Sequence, residues 1–223
     1  MSERIPPAAA TVLQQTDLYR VFAYAFGLPV PERFAWLSRP DLGPSLAALW
    51  DELEWEGAAP KFTPFRSYEQ YESAYIALFD VGVPEPPVPL IESAHHKAVP
   101  AQQIALDCVN FYEVLGLRHQ ASSFPPDHLV TQLEFLAAVR YARENAPDAA
   151  QEENLAHLER DFLERHLLNW LAGALEKLES TAPPCFPILL RFLHTFAQQQ
   201  AAALGAQIAQ ASPTGSPDEA HIT

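Results

Sequence analysis

Glycine, cysteine and positive charge are all scarce in this chain, and each shortage excludes something. Eight glycines in 223 residues, set against abundant Ala, Leu and Gln, favour helices over a sheet. Fourteen Lys plus Arg face 28 acids, a formal net charge of −14. A field of that sign repels phosphate backbones and excludes the nucleic-acid-binding classes, while it attracts a basic peptide. Cys108 and Cys185 lie far apart and form no C-x-x-C pair. Two buried thiols in a reducing compartment are expected, with one disulfide as the alternative. No run reaches 18 apolar residues, so no membrane-spanning segment is expected. The opening Met-Ser-Glu-Arg-Ile-Pro-Pro has neither a basic n-region nor an apolar run, which predicts no secretory signal and a cytoplasmic location. P-loop, G-x-G-x-x-G and G-x-S-x-G patterns are missing, removing the commoner nucleotide and hydrolase readings. No H-E-x-x-H occurs, and the adjacent His95 and His96 point apart on any regular element. Neither a metal site nor a cofactor is therefore expected.

The periodicity predicts an all-α, single helical-bundle domain of about nine or ten helices. Residues 1–7 read as a frayed start, 8–204 as the folded domain and 205–223 as a disordered tail with little to bury. A first amphipathic helix is expected from about Ala8 to Phe26, ended by Gly27 and the Pro29–Pro31 turn. Short helices follow at Glu32–Leu37 and from Gly43 to about Leu53, with Trp36, Trp50 and Trp55 as packing residues. Ser67 is placed to cap a helix from Tyr68 to about Phe79, whose Tyr68, Tyr71, Tyr75 and Phe79 form a packed aromatic stripe.

Residues 81–97 differ from everything around them. Four prolines in the six positions 84–89 exclude a helix or a central strand and predict a stiff, extended connector between two halves. A helix from about Pro100 to Leu115 should then close on Gly116. The next runs from Ser123 to Asn145 through the pair Pro125-Pro126, and it places Leu129, Leu133 and Leu136 on one side. Asp127, Thr131 and Glu134 fall on the other side, with His128 at the flank. A long run over about Gln151–Ser180 carries Leu155, Leu158, Phe162, His166 and Trp170 on one face, and a last helix reaches about Leu204.

Two readings of the candidate residues remain open on sequence alone. In the plainer one, Asp127 is a first-turn acid at the helix dipole, His128 is partly packed, Glu134 is solvated and His166 is a satisfied core histidine. In the sharper one, Asp127 and His128 point into a groove beside the connector and bind a ligand.

Four stretches together resemble the TorD/DmsD/NarJ-like redox enzyme maturation chaperones. Pro86-Pro87-Val88-Pro89-Leu90-Ile91-Glu92-Ser93 is similar to the family's P-P-Y-E-S connector, with Val-Pro-Leu-Ile in place of the aromatic. Phe111 to Leu117 resembles Y-x-x-x-G-L. Pro126-Asp127-His128-Leu129 with Leu133-Glu134-Phe135-Leu136 resembles P-D-H-(I/L)-x-x-E-L-E-F-(L/M), with Gln132 where Glu is usual. Phe162 to Trp170 resembles F-x-x-x-H-L-x-x-W. The resemblance implies a cytoplasmic chaperone, not an enzyme, that binds the twin-arginine signal peptide and apo form of a molybdenum-cofactor oxidoreductase before export. The connector departure is similar to chaperones of the type II enzymes of the DMSO reductase family. Glu92, Asp127, His128, Glu134, His166 and Trp170 are the signal-peptide residues it implies. A monomer is expected, with a domain-swapped dimer hinged at 81–97 as the alternative. The rival functions are a helical interaction scaffold and a nucleotide-binding hydrolase using Asp127, His128 and His166.

Overall fold

The computed structural model describes residues 18–120, 124–181 and 185–211. They are mainly helical, and no strand forms among them beyond one isolated bridge. The first helix, α1 (Leu18–Ala25), is followed by α2 (Pro31–Leu37) and α3 (Leu42–Glu52). Next comes α4 (Tyr68–Tyr75), which continues as a π turn over Ile76–Asp80. After the connector come α5 (Ala101–Val114) and α6 (Leu129–Glu144). The long run predicted after them is α7 (Ala149–Phe162), a π turn (Leu163–Leu167) and α8 (Leu168–Thr181). The chain ends its described part in α9 (Cys185–Ala211). None of these helices is long and apolar enough to cross a membrane.

The start predicted at 1–7, and the helix over 8–17, lie outside the described residues, as does Ser123. The predicted tail begins too early. Helix α9 continues through Ala211 because Leu204 and Ile208 are still buried, and only 212–223 fall outside the description.

Local chemistry explains several boundaries. Ser67 Oγ accepts the Gln70 amide and caps α4, since the first N–H groups of a helix have no internal partner. Gly116 ends α5 at φ +69, and Leu117 N–H reaches back to Tyr112 O at 3.0 Å, the hydrogen bond a left-handed C′ residue permits. The aromatic stripe of α4 packs as predicted: Tyr71, Tyr75 and Phe79 all surround Phe186 of α9 at ring separations of 5.0–6.1 Å. Each such buried ring contributes about 2–3 kcal/mol from area removed from water. Helix α6 lies between α1 and α7, and α9 packs on α7 and α8. Both cysteines are buried free thiols.

Behind these layers sits a buried ionic seam. Glu159 of α7 is fully buried, accepts Arg143 of α6 at 2.5 Å and accepts the Tyr19 hydroxyl of α1 at 3.2 Å. Desolvation, then the Glu159 charge, pushes the Tyr19 hydroxyl well above its ordinary pKa, so it stays a donor.

Candidate functional site

The proline connector decides where the site forms. Lacking donors at its prolines, it cannot join a ladder, and it lays its last residues along the start of α6 instead. Leu129 N–H donates to Leu90 O at 2.8 Å and Glu92 N–H donates to Asp127 O at 2.9 Å, which makes the isolated bridge between Ile91 and His128. A short 3-10 turn, Glu92–His95, then carries Glu92 inward. His95 accepts a place against Trp170, its ring 4.9 Å from the indole, while its Nε2 meets Pro89 O at 2.8 Å.

Pairing with the connector also moves the start of α6. The predicted helix from Ser123 is shortened to Leu129, because Pro126 forces Pro125 off the helical conformation and Asp127 O is taken by the connector. His128 becomes the N-cap: its Nδ1 accepts the Val130 amide at 3.1 Å, and its ring stacks on Phe124 at 4.1 Å. Burial lowers its pKa to about 4, so the ring is neutral near pH 7. Asp127 is not the first-turn acid that the sequence suggested. It lies one residue before the cap, buried, with Oδ2 accepting the Ser93 amide at 3.1 Å. The two residues therefore touch the connector, yet neither is among the residues lining the cavity beside Glu92. A hydrolase using Asp127 and His128 loses its candidates here, since both are committed to backbone amides.

What the connector, α5 and the π turn enclose is a different set. Glu92 Oε2 accepts Gln132 Nε2 at 2.5 Å and lies 3.0 Å from His166 Nδ1. Gln132 Oε1 in turn accepts Trp170 Nε1 at 3.3 Å. Cys108 Sγ stands 3.5 Å from His166 Nδ1 and 3.9 Å from Glu92 Oε2. All five side chains are buried. Burial, reinforced by the Glu92 charge, pushes the Cys108 thiol well above its ordinary range. His166 sits inside the π turn, a register insertion frequent at functional sites. Its Nε2 lies 3.3 Å from Asp107 Oδ2, close enough for attraction but off the angle of a hydrogen bond.

On the solvent side of Glu92 and His166 opens a cavity of about 520 Å³. Helix α5 supplies one wall through Gln103, Asp107 and Asn110, an i, i+4, i+7 face. Its mixed lining includes two exposed apolar side chains, Leu106 58 % and Val99 39 % exposed. Arg165 crosses the wall, its Nη2 2.7 Å from Asp107 Oδ2 and its guanidinium 5.1 Å from the centre of the Phe111 ring.

Of the six residues implied by sequence, Glu92 and His166 face the cavity, while Asp127, His128 and Trp170 stand behind it. Glu134 is exposed and outside the cavity lining, because it follows Gln132 by two residues and so faces away from it on α6. Sequence reasoning missed Asp107, Asn110 and Cys108, although the spacing of 103, 107 and 110 marks one polar face of α5.

Comparison with known proteins adds an independent line. Residues 48–176 match the family model of the nitrate reductase delta subunit. The chain is 32 % identical over 146 residues to the selenate reductase assembly chaperone protein of Thauera selenatis, covering 65 % of this chain and 72 % of that one. It is 33 % identical over 137 residues to the chlorate reductase assembly chaperone protein of Ideonella dechloratans, covering 60 % and 69 %. The perchlorate reductase assembly chaperone protein of Dechloromonas aromatica strain RCB is 27 % identical over 172 residues, covering 71 % and 75 %.

Proposed function

The chain belongs to the nitrate reductase delta subunit family, among the TorD/DmsD/NarJ-like maturation chaperones, and from that premise we propose that it chaperones the catalytic subunit of a molybdenum-cofactor oxidoreductase. It acts as an assembly chaperone and not as a catalyst. The client is of the oxyanion-reducing kind that its relatives serve, within the DMSO reductase family. In this reading the protein works in the cytoplasm as a monomer, holds the apo subunit until the cofactor is in place, and takes the client's twin-arginine leader into the cavity beside Glu92.

One observation carries the leader assignment. A hollow with two carboxylates, Glu92 and Asp107, is bordered by exposed Leu106 and Val99. A twin-arginine leader joins a basic n-region to an apolar h-region, and the hollow offers partners of both kinds. Guanidinium binds carboxylate through a planar fork. Asp107 already holds Arg165, so an incoming arginine exchanges with a half-exposed side chain instead of entering bare. The net charge of −14 accelerates encounter with a cationic segment.

The test is calorimetric titration of the full-length protein with a peptide of the client leader. Asp107→Asn should weaken binding about tenfold, the loss of roughly 1.5 kcal/mol for one charge-assisted hydrogen bond. A leader with both arginines changed to lysine should bind the native protein less tightly, because the fork is lost. Unchanged affinity in Asp107→Asn and in Leu106→Ser together would place the leader elsewhere.

A further inference from the structure

Glu92, Cys108 and His166 come from the connector, α5 and the π turn, and their ligand atoms lie within 4.8 Å of one another. Their separations carry information beyond proximity. A tetrahedral zinc-class ion holds sulfur at about 2.3 Å and nitrogen or oxygen at about 2.0–2.2 Å, which sets neighbouring ligand atoms about 3.4–3.6 Å apart. Here Sγ to Nδ1 is 3.5 Å, Sγ to Oε2 is 3.9 Å and Nδ1 to Oε2 is 3.0 Å. The set needs only a few tenths of an ångström of adjustment to close on an ion. Both Glu92 oxygens and Cys108 Sγ converge within 3.5 Å of His166 Nδ1.

The surroundings fit the same reading. Asp107 Oδ2 lies 3.3 Å from His166 Nε2, off the angle of a hydrogen bond but near enough to attract an imidazole that ligates through Nδ1. Gln132 Nε2 holds Glu92 and is itself held by Trp170, so the carboxylate cannot rotate away. A thiolate and a carboxylate together balance a dipositive ion in a buried place where either charge alone would be costly. The sulfur–nitrogen–oxygen donor set suits zinc over calcium or magnesium, which take oxygen alone.

We propose that Glu92, Cys108 and His166 bind one divalent ion of the zinc class, with a fourth coordination position open to the cavity. Three protein ligands and one open position are the arrangement of a site that exchanges its fourth ligand. This inference does not depend on leader binding.

Chelator-treated full-length protein, titrated with cobalt(II) and then zinc, tests it. One equivalent of cobalt should bind with a thiolate-to-metal charge-transfer band and tetrahedral d–d absorption, and zinc should displace it. Cys108→Ser should abolish the charge-transfer band and weaken binding by about a hundredfold or more, since loss of a ligand exceeds the 10–100-fold effect of an outer-shell partner. Cys185→Ser should leave spectrum and affinity intact. Asp107→Asn should weaken binding about tenfold with the tetrahedral spectrum retained. Absence of stoichiometric binding, or an unchanged spectrum in Cys108→Ser, overturns the proposal. Should Cys108→Ser fail to fold, Cys185→Ser decides: a charge-transfer band retained there can come only from Cys108, the one cysteine left in the chain, and a band lost there overturns the proposal.

Discussion

Acidification from about pH 7 to about pH 4.5 tests the placement of His128 directly. In the folded protein its Nδ1 accepts the Val130 amide, which puts the ring proton on Nε2 and leaves the imidazole neutral. A second proton would charge a buried ring stacked on Phe124 and would remove the helix cap at once. Its folded pKa is therefore lowered to about 4, against an unfolded value of about 6.5. Above the unfolded value both states are neutral and the group does not affect stability. As pH falls below it, the unfolded chain binds a proton that the folded one refuses, so stability drops until the folded pKa is reached. At 1.36 kcal/mol per pKa unit, the loss is about 2.7 kcal/mol by pH 4.5 and about 3.4 kcal/mol at most. His95 and His194 are shifted the same way by burial, so the native protein alone would not isolate the effect. His128→Asn does isolate it, because Asn is among the best N-cap residues and does not titrate. Urea unfolding of both proteins at several pH values, followed by tryptophan fluorescence, should show the native protein losing about 2.7 kcal/mol more than the variant across this interval. A difference constant to within about 0.5 kcal/mol would mean that the ring is not buried neutral, and the cap assignment would fall with it.

Two further outcomes follow from buried partners. Arg143→Met strands the Glu159 carboxylate with only the Tyr19 hydroxyl, so it should cost about 3–5 kcal/mol and lower the melting temperature by about 10 °C. Arg143→Met with Glu159→Gln should recover most of that in calorimetry; equal losses in the single and double variants would refute a charge-driven cost. Asp127→Ala should cost about 1–3 kcal/mol by leaving the Ser93 amide unpaired, and Asp127→Asn less than about 1 kcal/mol. Both should leave leader affinity unchanged, and weakened binding at undiminished stability would return Asp127 to the binding surface.

Helices, caps and the connector were legible because their causes are local. Ser67 before an aromatic stripe, Gly116 after α5 and four prolines in a row of six each act through their own backbone. The start of α6 was misplaced for a non-local reason. Asp127 O pairs with Glu92 N, a partner across the connector that no window of sequence around 127 contains. The polar cluster was hidden for the same reason. Glu92 and Cys108 are 16 residues apart, Glu92 and Gln132 are 40 apart, and Cys108 and His166 are 58 apart, so no ligand spacing exists to be read. His166 satisfied the plain expectation of a buried histidine, yet it also borders the cavity. Only the fold shows that its second nitrogen turns toward Asp107.

The four motifs of the family resemblance are each short because each supplies only one or two contacts around the connector. The connector gives Glu92, the Tyr-Gly-Leu element gives Tyr112, whose hydroxyl donates to Pro126 O at 2.5 Å, and the Asp-His pair fixes the connector through Ser93 and the bridge. The last motif gives His166 and Trp170, which hold Glu92 directly and through Gln132. Gln132 is the point where this chain departs from the usual Glu, and its amide explains what the departure achieves. It donates to Glu92 and accepts from Trp170, two opposite roles that one carboxylate cannot fill. Glutamate in that position would keep the tryptophan contact but would set two carboxylates 2.5 Å apart, an arrangement that survives only if they share a proton. With glutamine, Glu92 Oε2 keeps a donor beside His166, and the carboxylate still faces the cavity, where it can meet either an arginine or a metal ion.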